Sequence, residues 1–425
     1  MTRYALYYTP GARTPFWQLG CSWLGRDPTG AAPPPRQSVS GIASLMMTAL
    51  TASACRYGFH ATLKAPFRLA PGFGESHLLA MAQAFAKVQQ PVGLPDLQVH
   101  RVDDFLALCP TRATPHLDAL AMRVVSYFDV LRAAPTADEL ARRRLARLSP
   151  RQDALLERWG YPFTEEEFRF HMTLTDSLKA VGDDVAHALG QAADAHFQAV
   201  TTTANGMDPV SIDGLSILKE AVPGAPLHLL ARISFSGAGQ GDGMPAPGRL
   251  FYIVGPSGVG KDSLLRWVRE HLGERQQVRF ATRAITRAAH PSEEHEPVAA
   301  HDFWTEAGGG GFSMVWQANG ASYAVRRGIE ADLLAGYDVV VNGSREYVPQ
   351  VVKAFADARI IWITAEADLI ARRLVARQRE SGPELLQRVQ RATAFSAPAD
   401  QNTIHLDNSG PIEIAGKRLL DLLQD

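Results

Sequence analysis

The sequence predicts two consecutive domains: an α+β domain, then an α/β domain whose parallel sheet is flanked by helices. Three observations carry this expectation. The run Ser236-Gly-Ala-Gly-Gln-Gly-Asp-Gly-Met-Pro-Ala-Pro-Gly248 has no apolar periodicity and reads as a flexible tether. After it, short apolar runs alternate with helical patterns, the sequence form of a covered parallel sheet. Before it, two short stretches repeat a His-x-Thr pattern among less regular elements. A chain of 425 residues is also longer than one ordinary core requires.

The elements follow in order. Met1-Thr-Arg-Tyr-Ala-Leu-Tyr-Tyr8 reads as an opening strand, with no apolar core or cleavage site of a secretion signal. Residues 26–40, with their Pro33-Pro-Pro35 run, read as a loop, 136–159 as helix, and 227–235 as a closing strand. The expected domains are therefore 1–235 and 249–425, joined by the linker 236–248. In the second, 249–254, 337–341 and 359–364 read as strands. Between them, 262–272 is a helix with Leu264, Leu265, Val268 and Leu272 on one face.

Composition narrows the class. Apolar residues at 46% and charged residues at 20% describe a globular chain, and a formal charge of -1 gives no overall pull toward nucleic acid. The three cysteines, Cys21, Cys55 and Cys109, form no CxxC pair. This speaks against a disulfide framework or zinc site and for a reducing, cytoplasmic setting. No apolar run reaches the roughly 18 residues of a membrane span. The oligomeric state stays open.

Gly255, Pro256, Ser257, Gly258, Val259, Gly260 and Lys261 lie between the predicted strand and helix, where a phosphate-binding loop belongs. Glycines let backbone N–H groups face phosphate oxygens, the helix N-terminus adds partial positive charge, and Lys261 adds a full one. The next position usually holds a Ser or Thr that binds Mg²⁺, but here it is Asp262, a carboxylate able to bind the cation itself. Ser263 is one step further round the helix. Downstream, Arg283 and Arg287 offer the planar forks that suit a phosphorylated acceptor. Arg372, Arg373, Arg377, Arg379, Arg388 and Arg391 surround a break at Ser381-Gly-Pro and read as a lid that closes on transferring phosphoryl charge.

Residues 249–425 resemble the ribose 1,5-bisphosphate phosphokinase family, a branch of the guanylate-kinase-like P-loop kinases. The motifs that carry the likeness are the Lys261-Asp262 loop, Ala284-Ile-Thr-Arg287, Trp316-Gln-Ala-Asn-Gly-Ala-Ser-Tyr323, Asp338-Val-Val-Val-Asn-Gly-Ser-Arg345 and Leu406-Asp-Asn408. The resemblance implies ATP and Mg²⁺, with Arg377 and Asn408 near the nucleotide. It also implies Arg283, Arg287, Tyr323, Asn342, Arg345 and Arg388 around a small phosphorylated sugar. Guanylate kinases have an arginine where this chain has His290 and a base-reading glutamate where it has Val315, so a guanine base loses its partner here. Trp316 and Tyr323 suit either core packing or the site.

In the first half, Arg56-Tyr-Gly-Phe-His60-Ala-Thr62-Leu-Lys64 recurs in outline as Phe168-Arg-Phe-His171-Met-Thr173-Leu-Thr175. On strands each His shares a face with its Thr. Two such strands meeting in one cleft would give a phosphate diester an acid, a base and two hydroxyl donors without a metal. This resembles the two-histidine phosphoesterases. More closely, 1–235 resembles an uncharacterised family of phosphonate-degradation genes, marked by Tyr57-Gly-Phe-His60-Ala-Thr-Leu-Lys-Ala-Pro-Phe67 and Trp23-Leu-Gly-Arg-Asp27. Arg56, Tyr57, Lys64 and Arg169 are candidate substrate contacts.

Together the halves suggest consecutive steps: opening of 5-phosphoribosyl 1,2-cyclic phosphate at O2, then phosphorylation of the ribose 1,5-bisphosphate formed. Against this, O1 is the more acidic alcohol and the better leaving group, so the acid histidine must sit against O2. The rival readings are an RNA end-healing enzyme, a nucleoside monophosphate kinase, and a first half that only binds a phosphosugar.

Overall fold

The computed structural model describes residues 1–201, 210–237, 243–273, 277–288, 294–318, 320–376 and 403–424. The chain divides into two compact units, Met1–Ala70 with Ala82–Pro245 and Pro71–Met81 with Ala246–Asp425.

Among the described residues of the first unit there are nine strands: β1 (Arg3–Tyr8), β2 (Ala61–Phe67), β3 (Val92–Gly93), β4 (Leu97–Val102), β5 (Phe105–Pro110), β6 (Met172–Thr173), β7 (Ser211–Ile212), β8 (Gly214–Glu220) and β9 (His228–Ser234). Seven of them form one sheet in the order β4-β5-β6-β2-β1-β8-β9, and β3 pairs with β7. Every neighbouring pair in the large sheet is antiparallel, as an α+β domain requires. Phe59, fully buried, stacks on Phe197 at 5.6 Å and meets Phe16 edge-on. Gly20 lets the chain approach this ring, since a Cβ there would lie 2.1 Å from it. The packing fixes the backbone immediately before His60.

Three local expectations need correction. Residues 136–159 form two helices, Ala137–Arg144 and Pro150–Trp159. Thr136 and Ser149 each close a capping box, and Pro150 starts a helix more readily than it continues one. The two His-x-Thr segments are strands only in part: the first enters β2 at Ala61 and the second keeps little more than Met172 and Thr173. Arg56 and Tyr57 end the helix Ala52–Tyr57, Gly58 turns the chain at φ 80°, and β6 has only two residues. Finally, the described ends of the linker are tied down. Ser236 and Gly237 donate their N–H groups to Ala86 O and Gln89 O, and Gly248 donates to Leu333 O at 2.7 Å.

The second unit has a parallel sheet of β10 (Leu250–Val254), β11 (Val278–Phe280), β16 (Asp338–Asn342), β17 (Arg359–Thr364) and β18 (Thr403–Asp407), ordered β11-β16-β10-β17-β18. The helices Lys261–His271 and Ile412–Gln424 pack together, with Leu264, Val268 and Leu419 in one core cluster. A smaller sheet, β13-β12-β15-β14, comprises β12 (Arg283–Ile285), β13 (Glu296–Pro297), β14 (Phe312–Ala318) and β15 (Ala321–Arg326). Central β10 is buried throughout, so its carboxyl end delivers the glycine-rich loop from a rigid base. Among the described residues, no helix is long and apolar enough to cross a membrane.

Candidate active sites

In the second unit, the turn after β10 has the form a phosphate cradle needs. Gly258 and Gly260 hold φ of 85° and 96°, a left-handed region that side chains resist. A Cβ on Gly255 would lie 2.6 Å from Ile363 O, and one on Gly260 would lie 2.7 Å from Asn408 Nδ2. Buried Asn408 donates to Val259 O at 2.8 Å, and Arg373 donates to the same oxygen at 3.0 Å and to Asn408 O at 3.3 Å. Arg373, expected in a lid, is thus a strut under the loop. Lys261 opens the helix and donates its ammonium to Gly255 O at 2.8 Å, curled over the loop it serves. Pro256 and Val259 are buried, Ser257 is half-buried and Ser263 is exposed on the helix.

Asp262 lies at the centre of a polar cluster. Its Oδ1 accepts from Asn342 Nδ2 at 2.8 Å and from Arg283 Nη2 at 3.3 Å. Asn342 closes β16 and Arg283 opens β12, so both sheets contribute to one spot at the end of the loop. Asn342 Oδ1 is buried without a hydrogen-bond partner among the described residues, as is Asn408 Oδ1. An orphan carbonyl oxygen beside a carboxylate suits a hard divalent cation, which takes few protein oxygens and fills its shell with water and phosphate. Asp262 and Asn342 therefore fit Mg²⁺, and the loop fits a nucleotide polyphosphate.

The other expected residues divide. Arg345 begins the 3-10 turn Arg345–Tyr347 beyond β16, where burial holds its guanidinium below the usual value. Arg287, half-buried, follows β12. Tyr323 stacks on Trp316 at 5.6 Å within the core, so the packing alternative holds for this pair. Arg377 and Arg388, with Arg379, Arg391 and His290, lie outside the described residues.

In the first unit, Ala61 of β2 pairs with Met172 of β6. Antiparallel register therefore sets His60 opposite Thr173 and Thr62 opposite His171, all four on the face that Ala61 and Met172 leave. The two histidines are held alike. His60 Nδ1–H donates to Gly58 O and His171 Nδ1–H to Arg169 O, each over 2.8 Å to the carbonyl two residues back. A carbonyl can only accept, so in each ring Nδ1 keeps its proton and Nε2 faces the site as the atom that takes or gives one. Thr62 Oγ1 is 3.3 Å from His60 Nε2. Tyr7, paired with Thr62 from β1, stacks on His60 with ring centres 3.9 Å apart. Burial pushes His60 down to about 4, against the Gly58 bond and with help from neighbouring His171.

Around this pair the expected contacts fare differently. Tyr57 lies 5.9 Å from the His60 ring, and Arg56 covers it and bonds its hydroxyl. Lys64 is corrected: it is buried, donates to Val125 O at 3.0 Å and Asp129 at 2.9 Å, and cannot reach a substrate phosphate. Arg169 spends its guanidinium on Glu166 O and Phe168 O, and serves the site through its own carbonyl. The sequence reading missed Tyr7. A register shift in β1 between Leu6 and Tyr7 brings its ring to the histidine face, and no residue pattern signals that shift.

With this geometry in hand, the chain can be set beside known proteins. A ribose 1,5-bisphosphate phosphokinase PhnN of Janthinobacterium sp. (strain Marseille) is 53% identical over 424 residues, covering 100% of this chain and 93% of the relative. The chain belongs to the PhnN family. A second member, from Laribacter hongkongensis, is 36% identical and spans 98% of this chain and 96% of its own length. A third, from Agrobacterium fabrum, is 38% identical over 176 residues, which are 41% of this chain but 96% of that protein. Residues 62–228 match the family described as "Protein of unknown function (DUF1045)". Among solved structures, a guanylate kinase from Anaplasma phagocytophilum overlaps 42% of this chain and 86% of its own at 16% identity, with a TM-score of 0.31.

Proposed function

We propose that the protein performs two consecutive reactions on one phosphorylated sugar. The second unit transfers the γ-phosphoryl group of ATP to the 1-phosphate of ribose 1,5-bisphosphate, giving 5-phosphoribosyl 1-pyrophosphate and ADP. The first unit opens 5-phosphoribosyl 1,2-cyclic phosphate to supply that acceptor.

The observation that carries the kinase reading is the Asp262 cluster at the end of the glycine loop, in a chain whose relatives bear the name of this activity. Mg²⁺, when bound, would supply positive charge to offset that of the phosphates. Asp262 and Asn342 Oδ1 would hold that cation. The backbone N–H groups of 257–260 and Lys261 bind the β- and γ-phosphates and neutralise charge as the terminal P–O bond breaks. Arg283 and Arg345 orient the acceptor phosphate. Val315 stands where a base-reading carboxylate is needed in guanylate kinases, which favours a sugar acceptor over a nucleotide.

For the first unit, the support is the matched pair of imidazoles across one strand pair. His60, neutral far below pH 7, takes a proton from water through Nε2 as the water oxygen attacks phosphorus. His171 enters protonated and gives its proton to O2 as the P–O2 bond breaks. Thr62 and Thr173 donate hydrogen bonds to the non-bridging oxygens. The direction of opening depends on His171 standing against O2, since O1 is the better leaving group. Incubating the full chain with the cyclic phosphate alone, and identifying the product by phosphorus NMR, tests this half. Ribose 1,5-bisphosphate is expected; ribose 2,5-bisphosphate alone rules out the sequence of steps.

A further inference from the structure

The two imidazoles are tethered alike and surrounded unequally. Each donates Nδ1–H to the carbonyl two residues back, and one such bond leaves a ring free to swing about the N–H···O line. At His60 the swing is stopped. The Tyr7 ring lies face to face with it, ring centres 3.9 Å apart and planes inclined by 24°. At His171 the neighbouring ring is that of Phe105, 5.7 Å away and tilted by 51°, a contact that covers no face of the imidazole.

Tyr7 is itself held firmly. It lies on β1 between β2 and β8, opposite Thr62 and Ser216, and is only 1% exposed. It packs with Ala5, Leu218 and Leu227, so its ring cannot back away from the imidazole.

Few charged or titratable groups stand near His60. Tyr57, at the end of the helix Ala52–Tyr57, brings its ring to 5.9 Å. Arg56 spends its guanidinium on the Tyr57 hydroxyl and on Glu220, a carboxylate it shares with Arg3. His171 stands across the strand pair, and a charge there opposes a second one on His60. A covered imidazole with no carboxylate beside it keeps its neutral form, because water cannot solvate the charged one. The face of a tyrosine ring attracts a cation and pulls the other way. Burial prevails, and His60 titrates at about 4.

We propose that Tyr7 is a positioning residue that makes the two histidines unlike: its ring keeps water off one face of His60 and holds Nε2 toward the substrate as proton acceptor, leaving His171 as proton donor. The inference rests on the diester-opening reading and supplies the cause of its division of labour. Water gives a proton to His60 Nε2 and its oxygen to phosphorus, while the oxygen leaving phosphorus takes the proton of His171. Tyr7 touches His60 and none of the reacting atoms.

The test follows opening of 5-phosphoribosyl 1,2-cyclic phosphate by the full chain against pH. The wild-type kcat/KM should fall on the acid side only near pH 4. Tyr7→Leu should move that limb up toward pH 6.5, so that its rate at pH 5 drops about 10–30-fold further than its rate at pH 8. Tyr7→Phe keeps the ring and should keep the wild-type limb. Tyr7→Met, which fills the strand position without a ring, carries the same expectation should Tyr7→Leu lose the fold, as circular dichroism at pH 8 would show. A second readout is independent of turnover: the His60 ring-proton resonance, assigned by its loss in His60→Ala, should titrate higher in Tyr7→Leu and unchanged in Tyr7→Phe. If no diester is opened but these midpoints move as stated, the diesterase reading fails and the action of Tyr7 on His60 stands. A wild-type His60 midpoint near 6.5, or a folded Tyr7→Leu whose midpoint stays or falls, overturns the proposal.

Discussion

Asn342 Nδ2 donates to Asp262 Oδ1 at 2.8 Å, and its own buried Oδ1 has no hydrogen-bond partner among the described residues. In the proposed kinase reaction this pair takes the place of the single hydroxyl that most phosphate-binding loops set beside their metal ion. Asp262→Asn is expected to raise the Mg²⁺ concentration for half-maximal kinase rate at least about tenfold, because one charged ligand becomes neutral. A Mg²⁺ titration of ADP release checks this. An unchanged midpoint would leave Arg283 as the only function of Asp262.

His60→Ala and His171→Ala should each slow diester opening by about 10²–10⁴-fold, the usual worth of a positioned acid or base. Phosphorylation of added ribose 1,5-bisphosphate should proceed at its normal rate. Parallel assays with the two substrates separate these effects. Undiminished diester turnover in either variant would reduce the first unit to a binding domain.

The pH dependence has a definite sign. His60 titrates at about 4 in the folded chain and near 6.5 when unfolded, so the unfolded state binds more protons between those values. Stability is therefore full above pH 6.5 and falls as the pH drops toward 4, by at most about 3 kcal/mol from this group. His60→Gln should flatten that part of the curve in denaturant titrations at pH 7 and pH 4.5. A mutant curve parallel to the wild type would contradict the assigned burial.

Gly260→Ala should weaken both the loop and its nucleotide. The residue holds φ of 96°, and the added methyl would meet Asn408 Nδ2 at 2.7 Å. A loss of about 1–3 kcal/mol in stability is expected, with a weaker KM for ATP. Thermal unfolding and initial rates measure the two. Neither should change in the exposed control Ser263→Ala.

Much of the second unit was legible in the chain. The glycine spacing of 255–260 with Lys261, set between strand and helix, has one physical meaning, and the strand–helix alternation around it gave the parallel sheet. In the first unit the His-x-Thr repeat pointed to two histidines that the structure sets across one strand pair, although a turn precedes β2 and β6 has only two residues. What stayed hidden depended on long-range contacts. Lys64 has the spacing of a site residue, yet the helix Pro115–Tyr127 and the turn Asp129–Leu131 cover it and bind its charge. Tyr7 reaches His60 through a strand irregularity.

The central claim joins the two units through one intermediate. Phosphorus NMR of the full chain with 5-phosphoribosyl 1,2-cyclic phosphate, ATP and Mg²⁺ follows both reactions in a single tube. The account predicts that the cyclic signal disappears and a pyrophosphate doublet grows with it, while Lys261→Met stops at ribose 1,5-bisphosphate. A cyclic signal that persists, or a doublet that still forms in Lys261→Met, would contradict it.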